Sequence, residues 1–448
     1  MGQTGRMMTE AEALETLARE DPAIAADVKA ALRWLTDGEG LESVSLLRLQ
    51  EFLWYVLPTS WPDPPTSHLA VARALSRLLT LAGLDRYGDV CGSAETTHVI
   101  ETYGNSLAEG EAAYRRSRDK SHAVPPDTDL LAWSTGTQMG PDERAAYEAC
   151  AAAIELALEC RELRAGVSGW KTKRAALVDE WLTRTDGPAG ADTWLSRISA
   201  ERIHDWAQGH PGERAKMASS IVPRLLEPPV LPGEPLPTLR WLLQHADAGL
   251  RLTARHYIAP TLVGEAADMF GWGGQLAGKR HQELDVFPLH TLRGLAQHEM
   301  GAVRRSGTSL VLTRTGRLMA EDPAVRWHIG TASLIGPDDG ADPDFTVAVR
   351  EAALLIVTLS DKPVGYEELA VRLTDLHAAE GWTSLSGSSL TGAIRAEIHV
   401  LRHRLRALQL LSEDSTRGPL ALSLTSIGTA AALSALLARA LRPRRYVD

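Results

Sequence analysis

The sequence predicts a mainly α chain: a helical N-terminal region, then two tandem modules that each carry a small β-hairpin. Three observations lead to this reading. The motif Leu-x-Leu-Thr-x-x-Gly occurs twice in the C-terminal half, at Leu310-Val311-Leu312-Thr313-Arg314-Thr315-Gly316 and at Leu422-Ser423-Leu424-Thr425-Ser426-Ile427-Gly428. Each copy closes a similar run of elements and opens a helix. Apolar residues in the first half recur at three- and four-residue spacing, with no alternating strand of useful length between them. A proline-dense segment, Glu227-Pro228-Pro229-Val230-Leu231-Pro232-Gly233-Glu234-Pro235, forbids helix and separates the halves. Helices followed by a hairpin, a turn and a last helix make up the order of a winged helix. The modules are therefore expected to be winged-helix-like, with the hairpins as wings.

The elements follow in order. Thr9–Arg19 and Ala23–Leu35 have helical apolar spacing, and the apolar segment Leu46–Leu57 is ended by Pro58. Trp61-Pro62-Asp63-Pro64-Pro65 is a loop; Ser67–Ala82 is a helix stopped by Gly83, and Thr96–Tyr103 stays in helical register. A polar stretch over 117–142 divides a first helical domain, residues 1–120, from a second helical unit, residues 140–226. The second unit begins with a helix from Pro141 to Leu163, with acids in its first turn as the helix dipole prefers. Further helices are expected at Lys173–Thr183, Thr193–Ala207 and Gly212–Leu226.

The first winged-helix module is placed at 236–335: helices at Leu239–Ala246, Pro260–Phe270 and Leu289–Glu299, and a hairpin over 303–312 with its tip at Ser306-Gly307. A short strand, Leu250–Thr253, precedes the second helix, and a helix over 323–332 follows the motif. An acidic linker, 338–344, lacks the ligand spacing and terminal Glu of a calcium loop. The second module is placed at 345–441, with helices at Phe345–Leu359, Tyr366–Ala379 and Ser389–Leu408, a wing whose tip is Arg417-Gly418, and a closing helix Ile427–Leu441.

Composition excludes several classes. No apolar run is long enough to cross a membrane, and the acidic segment Met1–Glu20 has no apolar signal core, so a cytoplasmic location is expected. Three cysteines, Cys91, Cys150 and Cys160, without Cys-x-x-Cys spacing make neither a disulfide framework nor a zinc site. The net charge of -10 is uneven: residues 236–448 carry 23 Lys+Arg and 22 Asp+Glu, and residues 388–448 carry nine Arg against four acids, a net of +5. Polyanion contact is therefore expected late in the chain.

No motif declares an active site or a cofactor. Gly273-Gly274-Gln275-Leu276-Ala277-Gly278-Lys279-Arg280 matches phosphate-loop spacing as far as the lysine, but Arg280 replaces the magnesium-holding hydroxyl and no strand precedes it. His399 and His403 lie four apart on one helix face, a spacing that can hold zinc, without an identifiable third ligand. No Gly-x-Ser-x-Gly elbow, His-Glu-x-x-His signature or dinucleotide fingerprint occurs, so no catalytic residue, cofactor or metal is assigned. Trp54, Tyr55 and Trp61 fall in an apolar periodic run and are expected in the core rather than as a base-stacking platform.

The expected contacts are basic. In the helix 389–408, Arg395, Arg402 and Arg406 gather on one side, opposite the apolar stripe of Ile394, Ile398, Leu401, Leu405 and Leu408. That side would lie in a major groove, with Arg417 and the wing residues Arg304 and Arg305 on phosphate and Arg444 of the tail Arg442-Pro443-Arg444-Arg445 beside them. Arg395, Arg402 and Arg406 are expected to be exposed, and Leu401, Leu405, Leu292 and Leu295 buried.

Phe52-Leu53-Trp54-Tyr55-x-Leu57-Pro58, Leu69-Ala70-Val71-Ala72-x-Ala74-Leu75, and Leu252-Thr253-x4-Ile258-x-Pro260-x2-Val263 with Leu292-Arg293-x-Leu295 and the first motif copy resemble uncharacterised actinobacterial helical and winged-helix proteins. In that group such segments often accompany a plasmid open-reading-frame-three-type module. Its β-rich module, with a Pro-Pro-x-Trp-Arg strand, has no counterpart in this sequence. The resemblance covers about half the chain and implies an architecture, not an activity. The expected function is non-enzymatic DNA binding or transcriptional regulation through the C-terminal modules, with duplex DNA held by residues 388–448. A protein-docking scaffold with a protein partner is the alternative, and salt-dependent DNA binding separates the two.

Overall fold

A computed structural model describes residues 8–36, 38, 40–61, 64–135, 138–185, 192–227, 233–272, 282–336, 343–383, 389–412 and 421–444. The fold is mainly α, about 70% helix and 5% strand, with small antiparallel sheets. Among the described residues no helix is long and apolar enough to cross a membrane. The chain forms two compact units, Met1–Ile198 with Pro443–Asp448, and Ser199–Arg442. The phosphate-loop-like segment 273–280, residues 338–342 of the expected acidic linker and the wing tip at Arg417 fall outside the described residues, while the last two residues of that linker belong to the helix Pro343–Leu359.

The first unit contains α1 (Glu10–Glu20), α2 (Pro22–Thr36), α3 (Leu46–Glu51, continuing through Phe52–Val56 and Leu57–Ser60), α4 (Pro65–Leu81), α5 (Asp85–Cys91), α6 (Ala94–Tyr103), α7 (Leu107–Lys120), α8 (Pro141–Glu159) and α9 (Trp170–Thr183). Thr9 and Glu12 close a capping box at the start of α1. Pro58 does not end α3 as expected. A π turn over Phe52–Val56 takes up the disturbance, with the N–H of Leu57 bonding back to Phe52, and the helix runs on to Ser60. Trp54 is core, its Nε1–H donating to Thr96 Oγ1 at 2.8 Å, and Trp61 meets Phe52 edge to face; Tyr55 instead remains exposed.

The second unit begins within α10 (Trp194–Gly209) and continues with α11 (Gly212–Leu226), α12 (Pro237–Asp247), β1 (Leu250–Arg251), α13 (Pro260–Met269), α14 (Phe287–Gly294, extended by a π turn at Leu295–Glu299), β2 (Val303–Ser306), β3 (Ser309–Leu312), α15 (Arg314–Glu321) and α16 (Pro323–Ala332). It closes with α17 (Pro343–Leu359), β4 (Val364–Gly365), α18 (Tyr366–Ala379), α19 (Leu390–Ala407), β5 (Ala421–Leu422) and α20 (Ser426–Ala440). The units therefore part at Ile198, upstream of the proline-dense segment. The reason is packing: Met217, Ala218, Ile221 and Leu225 of α11 bury into the same core as α17 and α20. Buried ion pairs lock this arrangement. Glu351 on α17 accepts from Trp206 Nε1 at 2.9 Å and meets His210 at 2.7 Å and Arg439 at 3.4 Å. Arg214 of α11 pairs with Glu380, both nearly solvent-free.

The repeated motif has one physical explanation in both copies. β1 pairs with β3 as Leu250 with Leu310 and Arg251 with Ser309, and β4 pairs with β5 as Val364 with Leu422 and Gly365 with Ala421. The motif's first leucine thus takes the same register position twice. Thr313 and Thr425 cap the helices that follow, each hydroxyl accepting from the glycine amide three residues on. Their own amides bond to the carbonyls of Ala302 and Leu410, each just past a third helix. A Cβ on Gly316 or Gly428 would lie 2.0 Å from those same carbonyl oxygens, so only glycine permits the approach.

Candidate nucleic-acid interface

Helix α19 has the apolar stripe its sequence predicts: Ile394, Ile398, Leu401 and Leu405 are buried, as are Leu292 and Leu295 of the earlier third helix. Its arginines are placed differently from expectation. Arg395 is exposed but pairs with Glu367 at 2.6 Å. Arg402, expected at the surface, is only 8% exposed, and Arg406 is half-buried. α14 and α19 pack against one another, and contacts across that packing fall on His403 and Arg404. Phe287 at the start of α14 lies 4.2 Å from the His403 ring, and Arg404, inside the contact, pairs with Glu299 at 2.6 Å and donates to the Ser333 carbonyl. Projecting α19 as an isolated helix could not show this neighbour.

The charge of the C-terminal segment is therefore largely engaged within the fold. Arg439 is bound to Glu351, and Arg442 donates to the Gly336 carbonyl at 3.3 Å. Arg444 belongs to the first unit, where its amide donates to Ser134 Oγ at 3.0 Å and its carbonyl accepts from the Thr135 amide at 2.9 Å. Arg417 and Arg445 lie outside the described residues. The Nε2 atoms of His399 and His403 are 2.8 Å apart, close enough that one ring donates to the other. Burial, then His399, Arg402 and Arg406, lower the His403 pKa to about 4. Among the described residues no group of three or more His, Cys, Asp or Glu is arranged to hold a metal.

The three-stranded sheet of the first module is different. Its order is β1-β3-β2, and the tip of β2–β3 carries Arg304 and Arg305, both exposed. Arg304 lies opposite Val311 and Arg251 opposite Ser309; since alternate residues of β3 share a face, Arg251 and Arg304 flank that strand on its outer side. Leu310, Leu312 and Val303 fill the inner side. A tight turn after β1, closed by the Thr253 amide on the Tyr257 carbonyl at 2.7 Å, holds Arg255 and His256 in solvent. Arg314 and Arg317 of α15 follow β3 and are exposed as well.

None of these six arginines forms an ion pair among the described residues. Only Arg304 and Arg305 were expected contacts. The signal for the rest was legible: residues 300–320 contain four Arg and no acid, and residues 248–257 contain two Arg and no acid. A charge sum over the whole module concealed it. No family model, curated protein or solved structure matches this chain.

Proposed function

We propose that the chain binds duplex DNA through the arginine-bearing sheet of the first module, and that residues 236–335 and 345–441 are two winged-helix modules. The observation that carries the binding proposal is the set Arg251, Arg255, Arg304, Arg305, Arg314 and Arg317, exposed and, among the described residues, without acid partners around one small sheet. The shared strand register and the two Thr caps support the module reading. Unpaired guanidinium groups in a protein of net charge -10 make a local site for phosphate that the overall charge opposes elsewhere. Contact led by the wing also suits a fold whose third helices are occupied with each other.

Fluorescence anisotropy with random duplexes across a salt series tests this. Each phosphate-contacting arginine replaced by alanine is expected to weaken binding to all sequences alike and to reduce the salt slope by about one unit. Arg304→Ala with Arg305→Ala should therefore act strongly, and Arg395→Ala weakly. No binding at low salt would favour the second reading, a protein-docking scaffold. The packed pair α14 and α19 supports that alternative, since it removes the usual groove-reading helix from use.

A further inference from the structure

The first unit carries a half-open cavity of about 410 Å³, within the size range of small-molecule sites. It lies between α3, α7, α8 and the loop that precedes α8. Trp133 and Tyr147 form an aromatic wall, edge to face with ring centroids 5.0 Å apart, and Tyr114 and Met139 extend it. The rim is held in place: the amide and hydroxyl of Ser134 both donate to the buried Glu143 carboxylate, at 2.7 and 3.0 Å.

Two lining side chains of opposite charge keep binding capacity. Glu51 is half-buried and, among the described residues, forms no hydrogen bond or ion pair. Arg118 donates one N–H to the Tyr114 hydroxyl at 3.1 Å and lies over that ring at 5.5 Å, leaving most of its five donors for another acceptor. The other acids are engaged, Glu148 with Arg48 at 3.2 Å and Asp127 with the Trp133 amide at 2.9 Å. Burial raises the Glu51 carboxyl above its usual range, while Arg144 and Arg118 pull it down, so these charges act on one another across the cavity.

This arrangement discriminates between ligand charges. A plain anion would meet Glu51, Asp127 and Glu148; a plain cation would meet Arg118 and Arg144. A molecule with an ammonium and a carboxylate close together satisfies Glu51 and Arg118 at once, and a planar apolar body fills the aromatic wall. We propose that the cavity binds an aromatic α-amino acid.

Isothermal titration of the full chain with L-tryptophan, tryptamine and indole-3-propionate tests the proposal. L-Tryptophan is expected to bind at least about tenfold more tightly than either single-charge probe, since each leaves one half-buried charged group without its partner. Glu51→Gln keeps the side-chain shape and removes the charge, and is expected to lower tryptophan affinity about tenfold or more; Arg118→Gln should do the same. Ligand-free melting curves of both variants establish that they fold. Absence of tryptophan binding to the wild-type chain, equal affinity for the three probes, or tryptophan affinity unchanged in folded Glu51→Gln would each overturn the assignment. None of these results depends on DNA binding by the second unit.

Discussion

In the first module Arg304 and Arg305 stand in water on a hairpin, while in the second Arg402 and Arg404 are withdrawn among helices, Arg404 against Glu299 and a backbone carbonyl. The strand register and caps beneath them are the same. The segment with the larger net positive charge is thus the one with less of it available. A guanidinium that satisfies a buried carboxylate holds elements together and offers little field to a ligand. One left on a sheet without an acid does the reverse.

The sharpest way to break this comparison is to make the same substitution in both places. Arg404→Ala leaves Glu299 without its cation and should cost about 3–5 kcal/mol, whereas Arg304→Ala should stay within about 0.5 kcal/mol. Chemical denaturation at neutral pH reads both, and similar losses would erase the distinction. Next come the motif glycines. Gly316→Ala and Gly428→Ala each force a methyl onto a carbonyl oxygen and should each cost about 1–3 kcal/mol. A large loss at one and none at the other would mean that the two motif copies do not share one packing solution.

The smallest expected effect is a pH dependence confined to the second module. His403 is depressed from 6.5 to about 4 in the folded chain, so the unfolded chain takes up the proton first. Its contribution to stability is complete above 6.5 and declines as pH falls toward 4. Melts of wild type and His403→Gln across that interval should converge on the acidic side. Parallel curves would show that burial against Phe287 and the neighbouring cations leaves the imidazole's titration unchanged.

Local information in the chain determined much of this molecule. Periodic apolar residues specified nearly all the helices, because a 3.6-residue repeat is a property of neighbouring positions. The two motif copies specified caps and a register, because Thr313 and Thr425 act on amides three residues away. Helix α7 was missed for the same local reason: Leu107–Lys120 is polar over most of its length, and only Gly110, Ala113 and Ser117 are buried. Tertiary packing decided everything that depends on a distant neighbour. It set the unit boundary at Ile198, through the burial of α11 against α17 and α20. It drew Arg404 into the contact between α14 and α19, and among the described residues it left the arginines of the first sheet without an ion pair. It also assembled the cavity, whose Glu51, Arg118 and Trp133 lie on segments far apart in sequence. Charge and burial are properties of three-dimensional surroundings, so composition sums the arginines while the fold decides which of them face water.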